Sequence, residues 1–144
     1  MTDPANPTPR AIDRSTIEID PRRVRVLFGG HVVADSRRAV ILREPSRQPV
    51  WYFPRGDVEM TVLGQTRRQT VSPAKGVASY FTIYRDAHVV QDAIWSFEAP
   101  PPALGAIAGH IGFMRLHFEF EAEGHAAIDW DLAAAPRDDL NDAA

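Results

Sequence analysis

The feature that most constrains the fold is a repeated alternation of apolar with polar side chains over short runs, separated by glycine or proline. In one such run Val24, Val26 and Phe28 alternate with Arg25 and Leu27. A period of two residues is typical of a β-strand with one buried face, whereas a helix repeats every 3.6 residues. The other predicted strands occupy residues 15–19, 31–34, 39–42, 50–53, 58–62, 69–71, 77–84, 89–97, 114–120 and 126–131. Some of them alternate in the same way, whereas 39–42 and 50–53 are predicted from their β-branched and aromatic content. The sequence therefore predicts a mostly β protein of twisted antiparallel sheet.

Glycine and proline predict where the strands turn and where a helix begins. Gly29 and Gly30 join two β-rich runs. A type I′ turn needs positive φ at both central residues, so this pair predicts a tight hairpin. Three consecutive prolines at 100–102 cannot lie in a central strand, but proline suits the first turn of a helix. We therefore expect one short helix over 103–107.

Length and composition predict the boundaries of the folded part. The chain has 144 residues, the size of one domain. Residues 1–14 are rich in proline and poor in apolar side chains, so we expect a disordered leader. Residues 132–144 are acidic and interrupted by Pro136, so we expect a flexible tail. A single small β domain is expected over residues 15–131.

Composition also excludes several classes of function. The chain contains no cysteine, which removes disulfides, thiolate metal sites and a cysteine nucleophile. A net charge of −3 disfavours nucleic acid as a partner. With no apolar leader and no run of roughly 20 apolar residues, we expect a cytoplasmic protein without a membrane partner. The common nucleotide-binding and zinc-protease motifs are absent, so no cofactor is expected.

Two groups of polar residues resemble metal sites and are better explained as strand faces. His117 and Glu119 share one face of an alternating run, with His125 nearby. Asp129 and Asp131 form a carboxylate pair of the kind that can hold magnesium ions. The alternation accounts for the first group, and no phosphate-binding loop precedes the second. We therefore expect no metal site.

Basic residues occur as three adjacent pairs. Arginine pairs near turns usually lie in water, but pairs gathered by folding would form an anion-binding or nucleic-acid-binding patch. The spacing of these pairs along the chain does not show whether folding brings them together. The pairs are Arg22-Arg23, Arg37-Arg38 and Arg67-Arg68.

The segment from Ser72 to Gly76 combines a hydroxyl, a proline, a lysine and a glycine between two predicted strands. Lysine followed by glycine lets an anionic group approach both the ammonium and a backbone N–H. A buried unpaired lysine would suffer a desolvation penalty. We therefore expect Lys75 to be partly exposed and to face a cleft shared with Trp95 or His110.

Taken together, several runs resemble a bacterial family known as domain of unknown function 427, over roughly residues 22–118. The resemblance implies a small, single-domain β protein similar to the β-tent folds, and it implies no established activity. The runs are Phe28-Gly29-Gly30, Val33-Ala34-Asp35-Ser36, Tyr52-Phe53-Pro54-Arg55, Asp57-Val58, Ser72-Pro73-Ala74-Lys75-Gly76, Ala78-Ser79-Tyr80, Trp95-Ser96-Phe97, Ile107-Ala108-Gly109-His110 and Phe113.

The chain departs from the family pattern at one position. Where the resemblance implies Cys-Pro-aromatic-Lys-Gly, this chain has Ser72-Pro73-Ala74-Lys75-Gly76. Serine needs a base to become nucleophilic, whereas cysteine ionises more readily. Either the cysteine is not essential, or this chain is not an enzyme of that type. A nucleotidyltransferase label is also attached to the family, and the missing phosphate loop and unanchored acid pair disfavour it.

Two functions from different classes fit these observations. The first is a domain that binds a small molecule or anion, with an enzyme as a less favoured variant in which His110 is the acid–base. The second is a non-catalytic interaction or structural module that presents an exposed sheet face at Phe118 and Phe120. A homodimer is left open. The candidate ligand-binding residues of the first hypothesis are Tyr52, Arg55, Ser72, Lys75, Tyr80, Trp95 and His110.

The proposed leader gives a first testable prediction. Deleting residues 1–14 should leave thermal stability nearly unchanged, because this segment offers few apolar side chains to a cooperative core. Thermal unfolding followed by circular dichroism compares the full chain with the truncated one. A loss of more than a few degrees in Tm would show that the segment packs on the body.

Overall fold

A computed structural model describes residues 15–123, and this part of the chain contains ten strands and four short 3-10 segments. The strands are β1 (Thr16–Asp20), β2 (Val24–Phe28), β3 (His31–Ser36), β4 (Ala39–Arg43), β5 (Val50–Phe53), β6 (Leu63–Ser72), β7 (Gly76–Arg85), β8 (His88–Phe97), β9 (Ile111–Phe113) and β10 (Glu119–Ala122). The 3-10 segments span Arg55–Asp57, Met60–Val62, Pro102–Ile107 and Arg115–His117.

The strands form two antiparallel sheets. The larger has seven strands in the order β1-β4-β5-β9-β8-β7-β6, and the smaller has three in the order β10-β2-β3. Every pairing within them is antiparallel. This architecture confirms the predicted mostly β class. The expected short helix is present as the 3-10 segment Pro102–Ile107.

The hairpin at the two glycines is confirmed. Phe28 pairs with His31 across the turn, and φ is +55° at Gly29 and +85° at Gly30. Positive φ at both positions is the requirement from which the sequence predicted this turn. The hairpin joins β2 to β3 and provides two of the three strands of the small sheet.

The small sheet packs on one face of the large sheet. Its inward side chains belong to the same buried cluster as aromatic and aliphatic residues of the large sheet. Phe113 is the centre of one part of this cluster, with ring centroids 5.6 Å from Phe53 and 5.1 Å from Phe118. These edge-to-face contacts connect strands of the large sheet with the chain that enters β10. We call this side of the large sheet the inner face.

The opposite side of the large sheet, which we call the outer face, carries a second apolar cluster. Leu104 and Ile107 of the segment after the three prolines pack there with side chains from four strands. The strand members of this cluster are Val40, Leu42, Tyr52, Ala78, Tyr80, Trp95 and Phe97. The central strands of the large sheet are therefore covered on both faces.

The predicted strand over 58–62 is wrong. Val58 makes a single bridge to Ala34, and the backbone N–H of Glu59 donates to Val33 before the chain turns into Met60–Val62. Met60 and Val62 are partly buried against the inner cluster. Their alternation reflects that packing, which here needs no continuous strand ladder.

The predicted strand over 114–120 is also wrong over most of its length. The chain leaves the large sheet after β9, turns through Arg115–His117, and joins the small sheet only at Glu119. Leu116 is exposed, so the alternation does not mark one continuous face there.

Phe118 and Phe120, proposed as an exposed sheet face for an interaction module, do not form one, because both are buried in the inner cluster. The leader at 1–14, the strand at 126–131 and the tail at 132–144 lie outside the described residues.

A glycine in β9 allows two large aromatic side chains to meet across the sheet. Gly112 pairs with Tyr52 on one side and with Trp95 on the other. A Cβ at Gly112 would lie 2.7 Å from Cε2 of Trp95, so the indole occupies the space that any other residue would fill. This close approach lets Nε1 of Trp95 donate a hydrogen bond of 3.2 Å to the hydroxyl of Tyr52.

The close contact at Gly112 gives a second prediction. Gly112→Ala should lower the free energy of unfolding by about 1–3 kcal/mol, the usual cost of inserting a methyl group into a packed core. Urea denaturation followed by tryptophan fluorescence measures it. Gly105→Ala is the matched control, because a Cβ there meets no atom within 4 Å. Equal stability of both variants would contradict the close packing of Trp95 on Gly112.

Candidate functional site

Lys75 is buried and paired, in contrast to the partly exposed position expected from the sequence. Its Nζ lies 2.8 Å from Oε1 of Glu44, and the side chains are 5% and 9% exposed. The ammonium also lies 5.8 Å from the ring centroid of Phe97. Glu44 follows β4 and Lys75 precedes β7, so the pair connects two turns that are distant in sequence. The anionic group that reaches Lys75 is thus the protein's own carboxylate.

Three of the predicted aromatic residues lie together on the outer face. Tyr52, Trp95 and Tyr80 are buried in one cluster, and Tyr80 is the register partner of Trp95. Burial raises the pKa of the Tyr52 phenol well above its ordinary range, outweighing the hydrogen bond from Trp95 that lowers it. The hydroxyl of Tyr80 forms a 3.0 Å hydrogen bond with that of Thr70. Both phenols are therefore hydrogen-bonded members of the core.

Arg55 makes its contacts with other residues than these three aromatic side chains. Its guanidinium binds Glu98 through two hydrogen bonds of 3.1 and 2.8 Å and donates a third, of 2.7 Å, to the carbonyl of Gly109. It also lies 5.7 Å from the ring centroid of Phe81, a member of the inner cluster. The hydrogen bonds from Arg55 lower the pKa of Glu98 despite partial desolvation. Arg55 thus contacts three separate segments of the chain, at Phe81, Glu98 and Gly109.

Ser72 and His110 make only local contacts. Both the carbonyl and the hydroxyl oxygen of Ser72 lie 3.2 Å from the backbone nitrogen of Lys75, which closes the turn between β6 and β7. Nδ1 of His110 lies 3.1 Å from the carbonyl oxygen of Ala108. The structure brings Tyr52, Lys75, Tyr80 and Trp95 to one face and holds Ser72 beside them. It does not bring Arg55 to that face, and no contact joins His110 to this group among the described residues.

A different group of residues surrounds an open cavity at the junction of the two sheets. We call it the arginine cleft. It has a volume of about 420 Å³ and is lined by Arg23, Asp35, Ser36, Arg37, Arg38 and Asp57. The three arginine side chains are 49%, 61% and 65% exposed in chain order, so the cleft opens to solvent.

The arginine cleft is built from three segments of the chain. Arg23 directly precedes β2, while Asp35 and Ser36 end β3. The two residues that follow, Arg37 and Arg38, carry the chain from the small sheet into β4 of the large one. Asp57 ends the 3-10 segment after β5. Folding thus gathers one arginine of the first basic pair with both members of the second.

Carboxylates hold the three guanidinium groups in place. Arg23 binds Asp35 through two hydrogen bonds of 2.9 and 2.7 Å. Arg38 donates through Nε to Oδ2 of Asp57 at 3.1 Å. Arg37 binds Glu123 outside the lining through two bonds of 3.1 Å.

Several donors of the cleft remain without partners among residues 15–123. Each guanidinium carries five N–H groups, and the carboxylates take only some of them. Both terminal nitrogens of Arg38, Nη1 of Arg23 and Nε of Arg37 keep their N–H groups for another acceptor.

The two acids of the cleft are ionised at neutral pH. Hydrogen bonds from Arg23 lower the pKa of Asp35, against a smaller opposing effect of burial. Burial acts to raise the pKa of Asp57, but hydrogen bonds from Ser36 and Arg38 outweigh it and lower the pKa. Three arginines and two aspartates give the lining a formal charge of +1.

Sequence reasoning missed the residues that complete these sites. Glu44 carries no motif, because its role depends on a contact with a residue 31 positions away. The sequence predicted a basic patch only on the condition that folding brings the arginine pairs together. The structure brings Arg23 of the first pair beside Arg37 and Arg38 of the second. Asp35, Ser36 and Asp57 were quoted only as part of the family resemblance. For Asp35 and Ser36, the arginine pair that follows them was the available signal.

Comparison with known proteins identifies the family. A family model described as a domain of unknown function (DUF427) matches residues 16–124. The chain belongs to the DUF427 family. The short label of this family abbreviates a nucleotidyltransferase, whereas its description assigns no function. No curated protein matches the chain.

The matched range of the DUF427 domain includes both the Lys75 pair and the whole arginine cleft. Among residues 15–123, no group of three or more histidine, cysteine or acidic side chains is arranged to hold a metal ion. No helix in the same part of the chain is long and apolar enough to cross a membrane.

The buried pair gives a third prediction. Lys75→Met should lower the free energy of unfolding by about 3–5 kcal/mol, because it leaves the Glu44 carboxylate buried without its partner. Chemical denaturation measures the loss. The double variant Lys75→Met with Glu44→Met should recover most of it, because an apolar pair of similar volume removes both charges. A loss below about 1 kcal/mol in the single variant would show that the pair is solvated.

Proposed function

We propose that this DUF427 domain binds a small anion and that the arginine cleft is its binding site. The observation that supports this most directly is the convergence of three guanidinium groups from two segments on one cavity of about 420 Å³. Small-molecule sites usually have volumes of about 300–1,000 Å³. Arginine provides planar sets of N–H donors that match carboxylate and phosphate oxygens.

The internal ion pairs position the guanidinium groups of the cleft but leave some of their N–H groups without partners among the described residues. Exposed pairs contribute little to stability, so an incoming anion gives up little when it competes for their donors. The pairs also hold the guanidinium groups near one another, which reduces the ordering cost of binding. Arg38 is the principal ligand-binding candidate, because both of its terminal nitrogens lack partners among the described residues.

The seven residues first proposed as a pocket have a different part in this proposal. Tyr52, Trp95 and Tyr80 are core residues, Lys75 is paired, and Arg55 joins three segments. These contacts favour a structural role for the corresponding runs, as the alternative hypothesis of a non-catalytic module expected. We therefore propose binding at the cleft and assign no reaction to it.

The fourth prediction tests the site with inorganic phosphate as the probe. Phosphate should bind the native chain, and Arg38→Gln should weaken binding at least about tenfold, because a charge-assisted hydrogen bond contributes about 1.5–3 kcal/mol. Isothermal titration calorimetry at constant ionic strength measures both. Thermal unfolding of the variant should be close to that of the native chain, since Arg38 is largely exposed.

Arg43→Gln is the matched control for that experiment. Arg43 is a half-exposed arginine that also donates through Nε to one carboxylate, Oε1 of Glu18 at 2.9 Å, but it lies outside the cleft. The Arg43→Gln variant should bind phosphate as tightly as the native chain does. Equal loss in both variants would indicate general charge screening, and absence of phosphate binding in the native chain would refute the proposed site.

A further inference from the structure

We infer that the ligand of the arginine cleft is a phosphorylated polyhydroxy compound, such as a sugar phosphate, rather than a nucleotide. This inference rests on the proposed function and names the class of ligand that the same cleft would take. Three observations support it: the size of the cavity, the chemical character of its lining, and the arrangement of free donors and acceptors around it.

The cavity is larger than a bare oxyanion requires. A volume of about 420 Å³ lies within the range of sites for small organic molecules. A phosphate group bound to Arg38 and its neighbours would therefore leave room for an attached organic part. The wide exposure of the arginine side chains also allows that part to extend toward solvent.

The lining determines what kind of organic part fits. Sites for drug-like and heterocyclic ligands are lined mainly by apolar and aromatic side chains. Among the described residues, the lining of this cleft contains arginine, aspartate and serine only. A nucleotide base would have no aromatic ring there on which to stack, whereas hydroxyl groups would meet charged acceptors. The lining therefore favours a hydroxylated ligand.

Donors and acceptors are separated in a way that suits such a ligand. The N–H groups left free on Arg23, Arg37 and Arg38 would hold the phosphate oxygens. Both hydrogen bonds that Asp57 accepts from described residues fall on Oδ2, so Oδ1 keeps its lone pairs. A ligand hydroxyl can donate to that oxygen. Inorganic phosphate can donate its own O–H to that oxygen only by bringing its charged oxygens close to the carboxylate, whereas a sugar hydroxyl is separated from the phosphate by several bonds.

The acidic residues of the lining give the ligand class a distinctive signature. Asp35 and Asp57 lower the affinity for any anion through like-charge repulsion. They raise the affinity for a ligand whose hydroxyl groups donate hydrogen bonds to them. Removing one negative charge should therefore have opposite effects on two probes. Phosphate alone should bind at least as well, whereas the advantage of a hydroxylated phosphate should disappear.

Calorimetric titration with three probes tests the inference: inorganic phosphate, ribose 5-phosphate and adenosine monophosphate. On the native chain, ribose 5-phosphate should bind at least about tenfold more tightly than inorganic phosphate, as expected for one added hydrogen bond to a charged acceptor. Adenosine monophosphate should bind less than about tenfold more tightly than ribose 5-phosphate, because stacking of the base on an exposed guanidinium group contributes only about 0.5–1 kcal/mol.

In the variant Asp57→Asn, ribose 5-phosphate should bind about as tightly as inorganic phosphate, and the affinity for inorganic phosphate should not fall. Glu18→Gln, an exposed acid paired with Arg43 outside the cleft, should keep the native ratio. Asp35→Asn replaces Asp57→Asn if the latter does not fold. Comparing two ligands on the same folded variant removes any general change in its affinity for anions.

The outcomes separate failure of the inference from failure of the proposed site. Phosphate binding with no gain from the ribose, or a gain that survives the aspartate variant tested, would overturn the ligand class and leave the anion site standing. Adenosine monophosphate binding about tenfold more tightly than ribose 5-phosphate would overturn it in favour of a nucleotide. No binding of inorganic phosphate by the native chain would refute the anion site itself.

Discussion

Burial of both faces of the large sheet is the constraint on which the rest of the structure depends. The small sheet covers the inner face, and the segment Pro102–Ile107 helps to cover the outer one. Polar groups that become buried on this sheet or in the turns beside it are stabilised by partners within the protein. Trp95 donates to Tyr52 across Gly112, and Lys75 pairs with Glu44. Residues that resemble site residues in the sequence thus become part of the core.

The same constraint decides where unsatisfied charge can remain. The chain passes between the two sheets at Arg37 and Arg38, where neither core can accept a guanidinium group. Arg23 and Asp57 approach this crossing from neighbouring segments. Exposed ion pairs there cost little to form and little to rearrange. The junction between the sheets therefore combines room, charge and free donors.

Local patterns predicted the elements whose formation depends on neighbouring residues. The Gly29-Gly30 hairpin follows from turn chemistry, and β4 and β5 follow from their β-branched and aromatic content. The runs that became β7 and β8 are bounded by turn residues. The runs over 58–62 and 114–120 did not form the predicted strands, because alternation reports burial of one side and does not supply a pairing partner. Among the candidate site residues, Tyr52 and Trp95 are buried, as aromatic residues in strands often are. The partners of Lys75 and Arg55 depend on contacts from distant segments.

By itself the sequence determined that this protein is mostly β, that two glycines turn β2 into β3, and that it resembles the family to which it belongs. These properties depend on residue chemistry within a few positions or on motifs read in order. Only the tertiary structure decided that Lys75 is buried on Glu44 and that Arg23 joins Arg37 and Arg38 around one cleft. The reason is that strand order brings distant segments together, and period-two alternation contains no information about strand order.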